Sequence, residues 1–527
     1  MGSGPVAKTA AKRPPSWKLT SPTDIAAQGL VVSGFGHLET ARALFLRFDW
    51  PDGAPNTGAW LQDLGAVAPI TDANGKEQTA AALAFTCTGL KRMGLDEATL
   101  ASFSRPFREG MFQEDRARRL GDRRGGDWLP SVIAGGPGWS ANTPQDAVAG
   151  EFDPDGAPTE AQVVTPVTVH ALLLLYDPDA ASQDARAEQV AKILAARQII
   201  VVHTLPLVLD PNKIGVANEH FGFADGLSQP APYDDDAVTV GGGPAPRDGP
   251  NSVPLGEFLI GHLNGHHENA PGPITPQCPA ADAQLPPHPL AEGFRDLGLN
   301  GSYMVVRELR QDVAAFWSSM ARNAADIQAR DPAHSAHVTA DWLAERVIGR
   351  GKDGHLLCPG GHLPPTQYGL PDSDFRFLPR DPEGAGCPAG SHVRRGNPRD
   401  SLAPSAAMAQ TLLDAANNHR ILRRARKFGP KIADPLVDDK VDRGLLFMCL
   451  NTDLARQFEF VQQTWLLNSN FNTLYDETDP LVGPKGPMTI RDKDLRRIAS
   501  VDTYVRLAGG DYFFLPSLPA LRFLASI

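Results

Sequence analysis

Cysteine is scarce in this 527-residue chain. A disulfide framework normally needs many cysteines in even number, whereas this sequence has only Cys87, Cys278, Cys358, Cys387 and Cys449. We therefore expect a reducing compartment. The first twenty residues contain basic residues and proline but lack the apolar core of a secretory signal. Together these features predict a cytoplasmic protein.

Long hydrophobic runs and excess basic charge are also lacking. A membrane-spanning helix needs roughly 18 or more apolar residues, and the run HALLLLY ends at Asp177. The formal net charge is -11, from 50 Lys and Arg against 61 Asp and Glu, whereas nucleic acid is bound chiefly by basic side chains. We predict no membrane and no nucleic-acid partner, and instead a small molecule.

Apolar and β-branched runs alternate with helical patterns along the chain, which indicates mixed α and β structure. We predict a flexible tail over 1–25, an N-terminal domain over 26–231, a Pro/Gly-rich loop region over 232–295 and a C-terminal domain over 296–527. Within the first domain we predict a strand over 29–32 and a helix over 38–48. In the second, the residues Val313, Phe316, Trp317 and Met320 predict one buried helix face.

Three short segments carry residues suited to chemistry. FGFADGLSQP contains Gly222, Asp225 and Gly226 as G-x-x-D-G, GCPAGSHVRRGNPRD contains His392, and NNHRILRRARKFGP contains Arg423. Each alone has a simpler interpretation: an Asx turn, a structural histidine and a surface arginine. Their joint occurrence in this order is far more specific.

In that order the three segments resemble the dye-decolorising peroxidases. The likeness continues through NGSYMVVRELRQDVAAFW, RGLLFMCLNTDLARQFEFVQQTW and LYDETDPLVG, and it covers roughly residues 30–527, as in the longer members of that family. The resemblance implies an α+β fold of two ferredoxin-like domains, each an antiparallel sheet with helices on one face. It also implies one haem b per chain, held mainly by the second domain.

The resemblance assigns a role to each of the three residues. His392 would bind the haem iron, Asp225 would move a proton between the oxygens of hydrogen peroxide, and Arg423 would stabilise the departing charge. Because a carboxylate beside a guanidinium stays ionised in acid, we predict an acidic activity optimum. Organic donors such as dyes and phenols would be oxidised by one-electron steps, by a monomer or homodimer.

Further residues are expected around the haem. A metal-binding histidine usually donates its second ring N–H to an acceptor, and the resemblance places that acceptor at Asp479, with Asp476 as the second choice. Arg307, Arg394 and Arg399 are candidates to bind the haem propionates, since guanidinium groups suit paired carboxylates.

Two alternatives remain open. Cys358, His362, Cys387 and His392 could close a tetrahedral zinc site in a zinc-stabilised module. The chain could instead be a non-catalytic haem-binding or iron-releasing protein, which would have no need for Asp225 and Arg423.

Overall fold

The computed structural model describes residues 17–141 and 166–527, apart from 52, 76–77, 210–216, 235, 242, 245–246, 248 and 364–371. Residues 1–16 of the predicted tail lie outside this part. The end of that tail differs from the prediction, because Trp17–Leu19 is a strand that pairs antiparallel with Val238–Val240. Leu19 is buried, so both main-chain hydrogen bonds and apolar packing hold this segment.

The N-terminal half contains a four-stranded antiparallel sheet. Its strands are β1 (Thr40–Phe48), β2 (Ala80–Phe85), β3 (Ala171–Asp177) and β4 (Ile199–Val208). They lie in the order β2-β3-β1-β4, which is the ferredoxin-like order, and the helix α1 (Ala180–Ala196) packs against β3 and β4.

Two predictions in this half are wrong. Residues 38–48 do not form a helix, because β1 pairs with strands on both sides and is buried on both faces. Burial of both faces removes the alternation of apolar and polar residues by which a strand is recognised. The predicted strand over 29–32 is instead a short 3-10 helix, Gly29–Val31.

The C-terminal half repeats the arrangement. Its strands are β5 (Ser302–Gln311), β6 (Leu422–Arg423), β7 (Arg426–Phe428), β8 (Gly444–Asn451) and β9 (Val505–Leu515). They lie in the order β9-β5-β8, and the short strands β6 and β7 both pair with β8. The helices α2 (Val313–Arg330) and α3 (Ala340–Ile348) follow β5, and the four residues predicted to form one buried face of α2 are buried.

The two sheets join at both edges. Phe85 of β2 pairs with Phe514 of β9, and β4 pairs with β7 through Val208 and Leu207. Because β5 also pairs with β8, the strands close into a ring. A hydrophobic cluster draws residues from both halves, among them Phe45 and Met448. The predicted fold of two ferredoxin-like domains is therefore confirmed.

Shorter elements surround this sheet. The other helices are Thr23–Ala26, Trp60–Val67, Cys87–Arg92, Glu97–Ala101, Arg105–Glu109, Glu114–Arg119, Pro279–Gln284, His392–Gly396, Ala409–Asn417 and Leu518–Leu524, with 3-10 turns at Leu255–Glu257 and Ala406–Met408 and π-helical turns at Ala455–Glu459 and Val461–Leu466. Small strands pair as Val238–Val240 with Gly243–Pro244, Arg123–Arg124 with Asp127–Trp128, Trp139–Ser140 with Val167–Thr168, Ala231–Tyr233 with Ser252–Pro254, Ile274–Pro276 with Phe294–Asp296, Leu357–Cys358 with Gly361–His362, and Gly486–Asp492 with Leu495–Val501. None of the helices in the described ranges has the length and apolar character that a bilayer crossing requires.

Candidate active site

A cavity of about 290 Å³ lies against one face of the C-terminal sheet. Alternate residues of three strands line it: Arg307, Leu309 and Gln311 of β5, Leu445 and Phe447 of β8, and Val505 and Leu507 of β9. This spacing follows from the strand geometry, in which every second side chain points to the same face. The helix His392–Gly396 and the segment 219–228 complete the wall.

His392 is the first residue of that helix, and its imidazole lines the cavity. Its Nδ1 lies 2.9 Å from Oδ2 of Asp479, which is fully buried. The other oxygen of Asp479 accepts the main-chain N–H groups of Leu481 and Val482 at 2.9 and 3.0 Å. No residue in the described part of the chain hydrogen-bonds Nε2, so this nitrogen is open to a ligand in the cavity.

The helix and the loop that carries Asp479 are held together by Arg395. Its guanidinium donates to the carbonyl oxygens of Trp465 at 2.9 Å and Glu477 at 2.6 Å. Both acceptors precede Asp479 in the chain, so this buried arginine fixes the distance between the imidazole and its carboxylate partner.

The charge of each partner in this pair stabilises the other. Burial alone would lower the pKa of His392, but the Asp479 carboxylate outweighs it and raises that pKa above the usual range. Burial alone would raise the pKa of Asp479, but the imidazole and the two N–H donors hold it below the usual range. A carboxylate in this position keeps the proton on Nδ1 and increases the electron density at Nε2.

Asp225 and Arg423 line the same cavity as His392, although they are about two hundred residues apart in the sequence. The Gln229 side chain joins their segments, since it donates to the Arg423 carbonyl at 3.1 Å and accepts the Arg423 N–H at 3.2 Å. The Arg423 guanidinium donates to the carbonyl of Leu227, two residues after Asp225. The structure thus brings together all three residues of the predicted catalytic set.

Three more arginines lie at one end of the cavity, namely Arg350, Arg399 and Arg420. All three contact Ser228: Arg350 and Arg399 donate to its hydroxyl at 2.8 and 3.4 Å, and Arg420 donates to its carbonyl at 2.8 Å. Their other hydrogen bonds go to neutral oxygens, and none of the three forms an ion pair with a carboxylate in the described ranges.

This group of three cations is costly without a counter-ion. Burial lowers the pKa of Arg350 to about 10 and that of Arg399 to about 9, and it lowers the pKa of Arg420 well below its usual value. Because guanidinium groups stay charged in proteins, the direction of these changes reflects buried positive charge that the neighbouring carboxylates, Asp372 among them, compensate only in part. The cluster can therefore accept a ligand with carboxylate groups.

The other two predicted propionate-binding arginines are placed differently. Arg307 lines the cavity, but its guanidinium makes two hydrogen bonds to Asp122 at 2.6 and 3.1 Å. Arg394 is not among the cavity-lining residues; it donates to the carbonyl oxygens of Asp381 and Cys387, both at 2.9 Å. Of the three, only Arg399 combines a place on the cavity with a guanidinium that lacks a carboxylate partner in the described chain.

The predicted zinc site does not form. His392 is paired with Asp479, and Nε2 of His362 lies 3.0 Å from Glu345. Cys387 is buried and contacts the Ser391 hydroxyl. Across the described residues, no group of three or more His, Cys, Asp and Glu side chains could hold a metal ion. The Cys/His spacing that suggested a zinc site leaves His362, Cys387 and His392 with separate partners.

Glu219, Arg350 and Arg420 are among the cavity residues that were missed in the sequence. The position in the sequence could have identified two of them, because Glu219 stands three residues before the G-x-x-D-G segment and Arg420 stands three residues before Arg423. Arg350 stands between two glycines, and no pattern distinguishes it from a surface arginine.

The chain is similar to known proteins over most of its length. The family model described as Dyp-type peroxidase, C-terminal, matches residues 290–481. A dye-decolorizing peroxidase of Mycena epipterygia is 25% identical over 535 residues, with 93% of this chain and 85% of that protein covered. A multifunctional dye peroxidase of an Amycolatopsis species is 29% identical over 398 residues, with 70% of this chain and 74% of that protein covered.

A solved structure shows the same fold. The crystal structure of a DyP-type peroxidase from an Anabaena species superposes with a TM-score of 0.67 at 21% identity, and the match covers 95% of this chain and 94% of that one. Fold, site and relatives together define an oxidoreductase of the peroxidase class. Within that class, the family model over residues 290–481 and the relatives identify the family of dye-decolorising, DyP-type peroxidases as the one that the chain resembles.

Proposed function

We propose that the chain is a haem b peroxidase with one haem per chain, which uses hydrogen peroxide to oxidise organic donors by one-electron steps. The observation that carries this proposal is the cavity on which an imidazole with a buried carboxylate partner meets a second carboxylate and a guanidinium. The named activity of the relatives on dyes supports dyes as donors, and phenols are proposed with them. Cytoplasmic location and a monomeric or homodimeric state stay predictions.

The residues present fit a haem. The donor set has a neutral nitrogen, Nε2 of His392, for the iron, and apolar side chains from three strands for the flat ring. Arg399, Arg350 and Arg420 supply positive charge for the two propionates, whose carboxylates would compensate the buried cations. When bound, haem supplies the iron at which peroxide is cleaved and the oxidising equivalents that donors consume.

The protein's own groups account for the proton and charge transfers. Asp479 holds the Nδ1 proton of His392 and so keeps the lone pair of Nε2 directed at the cavity. Asp225 is the general acid–base: its carboxylate takes the proton from one oxygen of peroxide and returns it to the other. Arg423 places a fixed positive charge where negative charge develops.

A stopped-flow measurement with haem-loaded protein tests this proposal. We expect Asp225→Asn to slow the peroxide-dependent change of the Soret band by about 10²–10⁴-fold, and Arg423→Leu by about 10²–10³-fold. Asp476→Asn makes the same chemical change at an exposed carboxylate and is expected to react as the wild type does. A wild-type rate in Asp225→Asn and Arg423→Leu would reject the proposed roles, whereas a wild-type protein that binds haem but does not react with peroxide would favour a haem carrier.

A further inference from the structure

The loop that carries Asp225 is shaped without a regular strand or helix. Residues 217–226 fold back on themselves, with an isolated bridge between Asn218 and Ala224 and a hydrogen bond from the Asp225 N–H to the Ala217 carbonyl at 2.8 Å. Gly222 takes a φ of 97°, a left-handed conformation that favours glycine. A loop of this kind needs internal acceptors for its inward N–H groups.

The Glu219 carboxylate is that acceptor. Its Oε2 accepts the Phe221 N–H at 2.7 Å and its Oε1 accepts the Phe223 N–H at 2.8 Å, so the side chain spans the loop from inside. Oε2 also accepts from the Gln311 amide at 2.7 Å. Gln311 is the last residue of strand β5, and this bond therefore ties the loop to the sheet on which the cavity is built.

Aromatic packing holds the outside of the same loop. The Phe221 ring stacks on Phe316 at 4.5 Å, and Phe223 lies parallel to Trp317 at 6.5 Å. These contacts hold the two phenylalanine side chains against helix α2, and the Trp317 indole N–H also donates to the Phe221 carbonyl at 3.2 Å. Two of the three bonds to the Glu219 carboxylate come from main-chain N–H groups inside the loop, those of Phe221 and Phe223.

Building on the proposed role of Asp225, we propose that Glu219 is a positioning residue, which holds the loop 217–226 in the shape that presents the Asp225 carboxylate to the cavity. Its carboxylate acts through the N–H groups of Phe221 and Phe223, and the Gln311 amide orients it from the sheet. Asp225 then needs no direct hydrogen bond from Glu219, only the main-chain geometry that this side chain sets.

The ionisation of Glu219 gives the arrangement a pH dependence. Burial, together with the charge of Asp225, raises the pKa of Glu219 to about 7, against three hydrogen-bond donors that oppose the rise. A carboxylate has about four lone-pair sites, and three are used, so Oε1 can take a proton without losing a bond. The loop keeps its shape in acid. Above about pH 7, two negative carboxylates face the cavity and repel each other.

The other charged and titratable groups packed around the loop have partners of their own and do not account for the ionisation near pH 7. Arg307 of β5 is paired with Asp122. The carbonyl of Lys352 accepts the Ala224 N–H, and its ammonium lies 4.3 Å from the Trp317 ring. His220 contacts the Phe428 carbonyl through Nε2. Glu219 is therefore the group expected to set the alkaline limb of the peroxide reaction.

A double-mutant cycle with Asp225 separates a positioning role from a merely structural one. Glu219→Ala removes all three bonds, and we expect the second-order rate constant for peroxide to fall about 10²-fold, as for a displaced catalytic group. Adding Glu219→Ala to Asp225→Ala should lower the rate no more than about twofold further, because both changes act on one step. Glu219→Gln keeps one acceptor oxygen and turns the other into an NH2 group that faces a donor. This variant should lose less activity than Glu219→Ala, and it should lose the ionisation near pH 7.

The haem-free protein gives a second readout. In Glu219→Ala the amide protons of Phe221 and Phe223 should exchange with solvent faster than in the wild type, while exchange in strand β5 stays unchanged. The matched control is Glu308→Gln, a buried carboxylate on the same strand as Gln311 that binds Trp139 and His203 instead. Its peroxide rate and its pH profile should equal those of the wild type.

The outcomes distinguish this inference from the proposed function. A wild-type rate in Glu219→Ala, or losses that multiply with Asp225→Ala, would overturn the positioning role. A pH profile of the peroxide reaction whose alkaline limb is unchanged in Glu219→Gln would also contradict the proposed role of Glu219. If Asp225→Ala itself reacts at the wild-type rate, the acid–base assignment fails, whereas protected Phe221 and Phe223 amides that depend on Glu219 would still support the loop contact.

Discussion

The bond between His392 and Asp479 makes the sharpest quantitative prediction. Asp479→Asn keeps an oxygen that can accept the Leu481 and Val482 N–H groups but removes the negative charge beside Nδ1. A hydrogen bond to a charged group contributes about 1.5–3 kcal/mol. Because the His392 side chain is 36% exposed, we take the lower end, about 1.5 kcal/mol.

The sign of the pH dependence follows from the two pKa shifts. The raised pKa of His392 stabilises the haem-free protein below the unfolded histidine value of about 6.5, and this contribution is lost as pH rises through the folded value. The lowered pKa of Asp479 stabilises it above the unfolded aspartate value of about 3.9, and this is lost as pH falls through the folded value. The pair therefore contributes most between about pH 4 and 6.5.

Denaturant unfolding of the haem-free protein across this range measures the effect. We expect Asp479→Asn to lower the free energy of unfolding by about 1.5 kcal/mol between those limits and by less at pH 8. NMR titration should show a lower pKa of His392 than in the wild type, because the carboxylate that outweighs burial is then absent. Haem affinity should fall about 10–100-fold, as for loss of a group that orients a metal ligand.

The control is Asp476→Asn, since Asp476 was the other candidate acceptor and is exposed. Haem affinity, the pKa of His392 and the unfolding free energy should stay at wild-type values in this variant. A His392 pKa that is unchanged in Asp479→Asn, or lowered in Asp476→Asn, would refute the assignment of the acceptor.

Three further predictions concern the arginines and the acid–base group. Arg399→Leu should weaken haem binding in a spectroscopic titration, because a cation for the propionates is lost. Arg394 does not line the cavity, so Arg394→Leu should leave the haem dissociation constant of correctly folded protein unchanged. Equal effects of the two substitutions would contradict the role of the three-arginine cluster. Arg307→Met should lower the free energy of unfolding by about 3–5 kcal/mol, because it leaves the Asp122 carboxylate buried and unpaired; a loss under about 1 kcal/mol would show that the ion pair is dispensable. Turnover of an organic donor should be fastest in acid, because carboxylates as a class ionise at lower pH than imidazoles do; an optimum only above neutral pH would contradict a carboxylate base.

The three proposed catalytic residues could be picked out in the sequence because their segments, in this order, resemble those of the dye-decolorising peroxidases. Asp225, His392 and Arg423 each stand in one of these segments, and the order of the segments carried the prediction. Asp479 was predicted because a metal-binding histidine needs an acceptor for its second N–H and the resemblance placed that acceptor in the segment of Asp479.

The surroundings of these residues were harder to predict, because the burial of a polar side chain leaves no pattern in the neighbouring sequence. Arg394, Arg399 and Arg350 have similar glycine-rich or basic neighbours in the sequence, yet only Arg399 and Arg350 line the cavity. Glu219 gains its importance from main-chain N–H groups that a sequence does not display. Strand β1 was mistaken for a helix because burial on both faces removed its alternation.

The absorption spectrum of the haem-loaded protein, recorded before and after one equivalent of hydrogen peroxide, tests the central claim most directly. We predict one haem per chain, a Soret band that changes rapidly on addition of peroxide, and loss of the axial-nitrogen signature in His392→Ala. A protein that binds no haem, or whose haem spectrum is unaffected by peroxide or by the loss of the His392 imidazole, would contradict it.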